Sequence, residues 1–296
     1  MRIAVTGASG FVGRRLVERA RARGHEVIAI GRRGGDRRWD PLSGPAPLEG
    51  VEAVVHLAGE PVGEGRWTRR KMARIRESRV AGTRRLVEGL RGSLARVLVC
   101  ASAVGYYGDR GEEELTEDSP PGEGFLAEVC RAWEAEAFSS GIRTAVVRTG
   151  IVLGAGGGAL ERMAAPFRWG LGGPLGDGEQ WMSWIHRDDL AALYLHLVEQ
   201  EGLEGAFLGT APEPVRNRAF AAELGRALGR PSWLRVPRGV LRLAAGRAAE
   251  MILSSQRCRP ARTLRSGFAF AFPGLAPALR EALGLMGIPP AADDRG

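Results

Sequence analysis

The opening of the chain leaves few choices of fold. "RIAV" at 2–5 is a short apolar run that ends close to a glycine. "TGASGFVG" at 6–13 follows, then an amphipathic run to Arg23, a break at Gly24-His25, and a second apolar run, "EVIAI". Strand, glycine-rich turn, helix and strand within about thirty residues make one βαβ unit. The glycines are spaced G-x-x-G-x-x-G at Gly7, Gly10 and Gly13. Gly7 allows the tight turn, Gly10 lets the backbone approach a pyrophosphate, and Gly13 lets the helix pack close to the strand. The helix start at Phe11 and Val12 then offers unpaired N–H groups and partial positive charge to phosphates. With Ser9 in the turn, these residues are the expected dinucleotide site. A purely structural turn in an unrelated α/β domain is the alternative.

The second strand runs into "GRRGGDRR" at 31–38. A cofactor without a 2′-phosphate favours an acidic residue here, to accept from the ribose hydroxyls. Arg32 and Arg33 stand in its place. A guanidinium matches a 2′-phosphate in charge and bidentate geometry, so NADP(H) is expected rather than NAD(H). Two solvated arginines remain the alternative, because arginine is spread along the whole chain and Lys71 is its only lysine. The same spread argues that the net charge of +8 is no nucleic-acid patch, and no nucleic-acid module is present. Cys100, Cys130 and Cys258 are too scattered for a disulfide framework or a zinc site, and no metal is expected. The chain enters its first strand directly and holds no apolar run of membrane-spanning length, so a cytosolic protein without a membrane partner is expected.

Further strands end in small-residue turns. They lie in "VEAVVHLAGEP" (51–61), "ARVLVCASAVGYYGD" (95–109) and "GIRTAVVRTGIVLG" (141–154), with a helical pattern between the first two. Such alternation predicts an α/β protein with a doubly wound parallel sheet of Rossmann type. Ligands in these sheets bind at the carboxyl ends of the strands. Leu57, Ala58, Gly59 and Glu60, then Ser102, then Thr149 and Gly150, are therefore further expected cofactor contacts. The expected division is a Rossmann domain at 1–155, completed by about 186–210. A smaller C-terminal substrate domain takes 156–185 and 211–296.

Together these segments resemble the extended short-chain dehydrogenase/reductase family, of the epimerase–dehydratase type. "TGASGFVG", "HLAG" (56–59), "SAVGYYG" (102–108), "RTGIVLG" (148–154) and "WIHRDDLA" (184–191) carry the resemblance. "WDP" (39–41), "FLAEVCRAWE" (125–134), "GLGGPLGDGEQWMSWIH" (170–186) and a C-terminal "SSQR…PARTLRSGFAFAFP" narrow it to a branch with a C-terminal region of unknown function. Members of that branch are described as nucleoside-diphosphate-sugar epimerases, and sometimes as cell-division inhibitors. The resemblance implies a fold and a cofactor; it leaves the small-molecule substrate unnamed.

In typical members of the wider family a Tyr and a Lys sit one helical turn apart, on one helix face. The lysine holds the ribose and lowers the tyrosine's pKa, and the tyrosine exchanges a proton while hydride moves. This chain has no Tyr-x-x-x-Lys. A tyrosine partner for Lys71 would stand where Trp67 is, and Tyr106, Tyr107 and Tyr194 are followed by Arg110, Gly111 and Val198 at that spacing. Phe125 and Val129 occupy the place of the pair. Substitutes within reach of the site are Tyr106 or Tyr107 beside Ser102, a buried carboxyl at Glu128, and Cys130; packing or solvation is the bland reading of each.

In the second half, Trp184 and His186 are candidate substrate-side residues, with core packing as the alternative. Asp188 and Asp189 read as first-turn acids that complement a helix dipole. The glycine-rich stretch 154–179 is expected as a mobile connection over the site. The last residues, "PPAADDRG" at 289–296, are expected to fray. Assembly as a monomer or homodimer is left open.

Overall fold

A computed structural model describes residues 1–285; the fraying expected at 289–296 lies outside them. Seven strands form one sheet: β1 Arg2–Thr6, β2 Glu26–Gly31, β3 Arg37–Arg38, β4 Ala53–His56, β5 Val97–Ala103, β6 Arg143–Thr149 and β7 Gly205–Gly209. Their spatial order is β7-β6-β5-β4-β1-β2-β3 and every pairing is parallel. The order reverses at β1, which opens a crevice at the carboxyl ends of β1 and β4.

The strands are apolar on both faces because both faces are covered. Successive side chains point to opposite sides, so Ile3, Val5, Val97 and Val99 enter one core while Ala4, Val54, Leu98 and Cys100 enter the other. Helix α1 (Phe11–Ala22) supplies Leu16 and Ala20 to the first core. Helices α2 (Arg69–Leu90) and α3 (Phe125–Phe138) close the second with Leu86, Leu90, Trp133 and Ala137.

The stretch 154–179 differs from the expected mobile connection. It contains helix α4 (Gly158–Arg168), whose Leu160, Ala164 and Phe167 are buried. Composition hid this helix, because glycines crowd its start and Pro166 lies within it. Helix α5 (Arg187–Glu199) returns onto the first face and packs against α1. Its two acids do more than complement a dipole. Asp188 pairs with Arg15 at 2.7 Å and Arg19 at 3.1 Å on α1; burial alone would raise its carboxyl, but the bonds from these cations outweigh it and hold it at about 2. Asp189 accepts the backbone N–H groups of Ala271 and Phe272 at 2.8 and 2.9 Å, and so fastens the C-terminal segment.

Beneath the crevice lies a buried imidazole. His56 Nδ1 is 2.6 Å from Thr6 Oγ1, and Nε2 is 3.1 Å from Thr83 Oγ1. Thr6 Oγ1 also accepts the N–H groups of Leu57 and Ala58, so its own proton goes to Nδ1 and Nε2–H donates to Thr83. Burial, aided by the nearby Arg79 charge, pushes His56 down to about 4. A depressed histidine binds its proton in the unfolded chain first, so its stability contribution is full above the unfolded value and is lost as pH falls toward about 4. Chemical denaturation at about pH 7.5 and about pH 5 should show a loss of about 2 kcal/mol on acidification, and His56→Gln should remove most of that slope.

Candidate active site

The glycine turn connects β1 to α1. Gly7 has φ of 70°, and a Cβ there would meet the carbonyl carbon of Leu57 at 2.9 Å, so the turn needs a glycine both conformationally and sterically. A Cβ on Gly13 would come within 2.1 Å of the Gly7 carbonyl oxygen. Gly10 is different. Its backbone is extended (φ −73°, ψ 172°), and an added Cβ would meet only the Gly7 oxygen, at 3.1 Å. The glycine at Gly10 therefore keeps space open on the solvent side, above a helix start with no side-chain cap. Phe11 and Val12 are half-buried in that first turn. Gly154 and Gly158 lie close to the Phe11 ring, which is 5.0 Å from the Arg187 guanidinium, so the entry into α4 rests on the turn.

The turn opens into a cavity of about 760 Å³ between α1 and the end of β2, where Ser9, Arg14, Arg32 and Arg33 meet. Arg32 and Arg33 are exposed and directly follow β2, while the acid further on, Asp36, has its carboxylate taken up by the Ala29 backbone N–H at 2.7 Å. Arg14 was missed in the sequence. It also donates to the Ser9 carbonyl at 2.9 Å, and its signal is a cation immediately after the last glycine of the turn.

The neighbouring turn places Leu57, Ala58 and Gly59 over the end of β4. Glu60 belongs to the same turn, but its carboxylate is held by Lys71 at 2.8 Å and Arg74 at 3.4 Å, and these cations keep it below the usual carboxylate range. Across the crevice, Gly150 is required by packing: a Cβ there would lie 2.5 Å from the Ser183 oxygen. Thr149 donates to the Val147 carbonyl.

The candidates for the missing acid and base are mostly occupied. Ser102 Oγ donates to Glu134 Oε1 at 2.6 Å. Glu134 in turn grips Arg148 through two 2.9 Å bonds, and both side chains are buried. Arg148 also donates to the Tyr107 hydroxyl at 2.9 Å and to the Glu117 carbonyl at 3.0 Å, and its guanidinium lies 3.5 Å from the Tyr106 ring centroid. Burial would lower the Arg148 pKa, but the bidentate pair with Glu134 raises it. Tyr107 is fully buried, its hydroxyl donates to the Thr116 carbonyl, and burial pushes its pKa up, which makes it an anchor rather than a proton donor to a ligand. Cys130 is buried and pushed up to about 12 by that burial. The buried carboxyl expected at Glu128 is corrected: α3 turns that residue to solvent. Phe125 packs edge-on against Trp67 at 5.6 Å, and Val129 is buried.

Trp184 and His186 are also corrected. Both are buried in the second half's own core. The Trp184 indole donates to the Glu213 carbonyl, and His186 caps α5 through Nδ1 while Nε2–H donates to Glu281 at 2.6 Å. A separate cavity of about 610 Å³ lies between Phe125, Leu126 and the C-terminal segment, and Arg238, Arg242 and Arg247 reach its wall. No group of His, Cys, Asp and Glu able to hold a metal occurs among the described residues, and no helix among them is long and apolar enough to cross a membrane.

Sheet order, glycine turn and crevice define a Rossmann nucleotide-binding protein of the short-chain dehydrogenase type. The pattern of the NAD dependent epimerase/dehydratase family matches residues 3–207, and a domain of unknown function, DUF1731, matches 236–282. The chain belongs to that epimerase/dehydratase family. It is 40% identical over 302 residues to the chloroplastic epimerase family protein SDR39U1 homolog of Arabidopsis thaliana, covering 96% of this chain and 87% of the relative. The crystal structure of the human epimerase family protein SDR39U1, isoform 2, with NADPH superposes with a TM-score of 0.89 at 37% identity, covering 96% of this chain and 99% of that one. The nucleoside-diphosphate sugar epimerase of Corynebacterium glutamicum superposes with a TM-score of 0.79 at 37% identity, covering 96% of this chain and 58% of that longer one.

Proposed function

We propose that the chain binds NADP(H) in the crevice and works as an epimerase-like or oxidoreductase protein on a small anionic molecule, without the usual Tyr and Lys pair. The carrying observation is a glycine turn open at Gly10 beside a cavity that gathers Arg14, Arg32 and Arg33 and has no acid in its lining. Backbone N–H groups at the start of α1 would hold the pyrophosphate, and the arginines the 2′-phosphate. Leu57, Ala58 and Gly59, then Thr149 and Gly150, would line the rest of the path. When bound, the cofactor supplies hydride exchange; these residues orient it. NADPH in the human relative supports this reading. The arginine-walled cavity beside Phe125 suits a diphosphate, and a sugar nucleotide is the class for which the Corynebacterium relative is named. We divide the chain into a Rossmann unit at 1–155, completed by 186–210, and a substrate unit at 156–185 and 211–296. Free, buried thiols at Cys100, Cys130 and Cys258 fit a reducing compartment such as the cytosol.

A second reading has its own support. Ser102 is engaged by Glu134, and Phe125 and Val129 carry no exchangeable proton or charge. A cofactor-bound protein without turnover, sensing NADPH or presenting a surface to a partner such as division machinery, needs neither. NADPH oxidation by the wild type against aldehydes, ketones and sugar nucleotides separates the two. A positioned proton donor supplies about 10²–10⁴-fold in rate, so generic reductase activity should be absent or weaker by about that factor than in Tyr-bearing proteins. Brisk turnover would sink the sensor reading and point to Tyr106 as the remaining phenol.

A further inference from the structure

One cation at the crevice has no carboxylate paired with it among the described residues. Arg79 leaves α2 beneath the β4 turn, so close that a Cβ on Gly59 would lie 3.2 Å from its guanidinium carbon. One amino group donates to the carbonyls of Glu60 at 2.9 Å and Ile75 at 3.3 Å. Among the described residues, no carboxylate pairs with it: the Glu60 carboxylate is engaged by Lys71 and Arg74. Its other amino group and Nε make no hydrogen bond among those residues. The guanidinium faces α3, 5.1 Å from the Trp133 ring and near the Cys130 thiol. That is the helical turn that begins with Val129, where the family pattern puts its lysine. Burial lowers the Arg79 pKa, and the Glu60 charge only partly offsets it.

A half-buried guanidinium with unused donors at a crevice is placed to meet something polar or anionic there. Its place decides what that is. The adenosine half of a dinucleotide lies toward β2 and the pyrophosphate at the start of α1, so the end of β4 facing α3 belongs to the nicotinamide half. We infer that Arg79 holds the nicotinamide-side ribose and adjoining phosphate of NADP(H), supplying from α2 the fixed positive charge that Val129 does not supply from α3. The inference rests on the NADP(H) reading above.

Adenosine 2′,5′-bisphosphate carries the 2′-phosphate recognised at Arg32 and Arg33 but lacks the nicotinamide half, so it separates the two. Wild type, Arg79→Gln and Arg79→Lys should be titrated with it and with NADPH, with a melt to confirm folding. Arg79→Gln should weaken NADPH about 10- to 100-fold, the range of a lost charge-assisted hydrogen bond, while the bisphosphate changes less than about twofold. Arg79→Lys should recover much of the NADPH affinity. Equal losses for both ligands would make Arg79 a structural support of the turn, and unchanged NADPH affinity would likewise overturn the inference. A wild type that binds neither ligand would remove the cofactor reading itself, and the inference with it.

Discussion

Gly10→Val should abolish measurable NADPH binding in a protein that still folds. The extended backbone at Gly10 is one that valine adopts freely, and the added Cβ meets a single protein atom, the Gly7 oxygen at 3.1 Å. The methyl groups project instead into the space above the helix start, where a pyrophosphate must come within hydrogen-bonding distance of the backbone. Loss of several such bonds corresponds to a fall of at least about 100-fold in affinity. Calorimetry with NADPH and a thermal melt on the same sample read the two effects separately. Gly13→Val is the contrast, because its Cβ would overlap the Gly7 carbonyl and should cost the fold itself. Undiminished NADPH binding in a folded Gly10→Val protein would place the cofactor elsewhere.

Arg148→Met should destabilise the protein by about 3–5 kcal/mol, since it strands a buried carboxylate at Glu134. The loss spreads beyond the pair. Arg148 also bonds the Tyr107 hydroxyl and the Glu117 carbonyl, and the Glu117 carboxylate receives the N–H groups of Leu208, Arg262 and Thr263. One guanidinium thus ties β5, α3 and β6 to the C-terminal segment. Replacing both partners by apolar residues, Arg148→Met with Glu134→Leu, should recover at least half of the loss, because no unpaired charge then remains. Urea unfolding of the two variants tests this; a single-variant loss below about 1 kcal/mol would show that Glu134 finds water or another partner.

The parts of the fold set by backbone geometry were legible in the sequence. Short continuous apolar runs marked the long sheet strands, and the glycine spacing marked the turn from β1 into α1. What escaped was set by side-chain partners distant in the chain. Trp184 and His186 look like pocket residues in a string of letters, and only the fold supplies Glu213 and Glu281 to bury them. Glu128 lies near Phe125 in helical spacing, but which face of α3 is covered depends on α2. Arg14, Arg79 and Arg148 were lost among many arginines, because composition cannot tell a solvated guanidinium from one under a strand end. Helix α4 was masked by its glycines and Pro166.

The central claim is that this crevice selects NADP(H) through the arginines at the end of β2, and calorimetric titration of the wild-type protein with NADPH and with NADH tests it most directly. The account predicts saturable one-to-one binding of NADPH and at least about tenfold weaker binding of NADH, the 2′-phosphate contributing about 1.4 kcal/mol or more through charge-assisted bonds. Equal affinities for the two cofactors, or no saturable binding of NADPH, would contradict it.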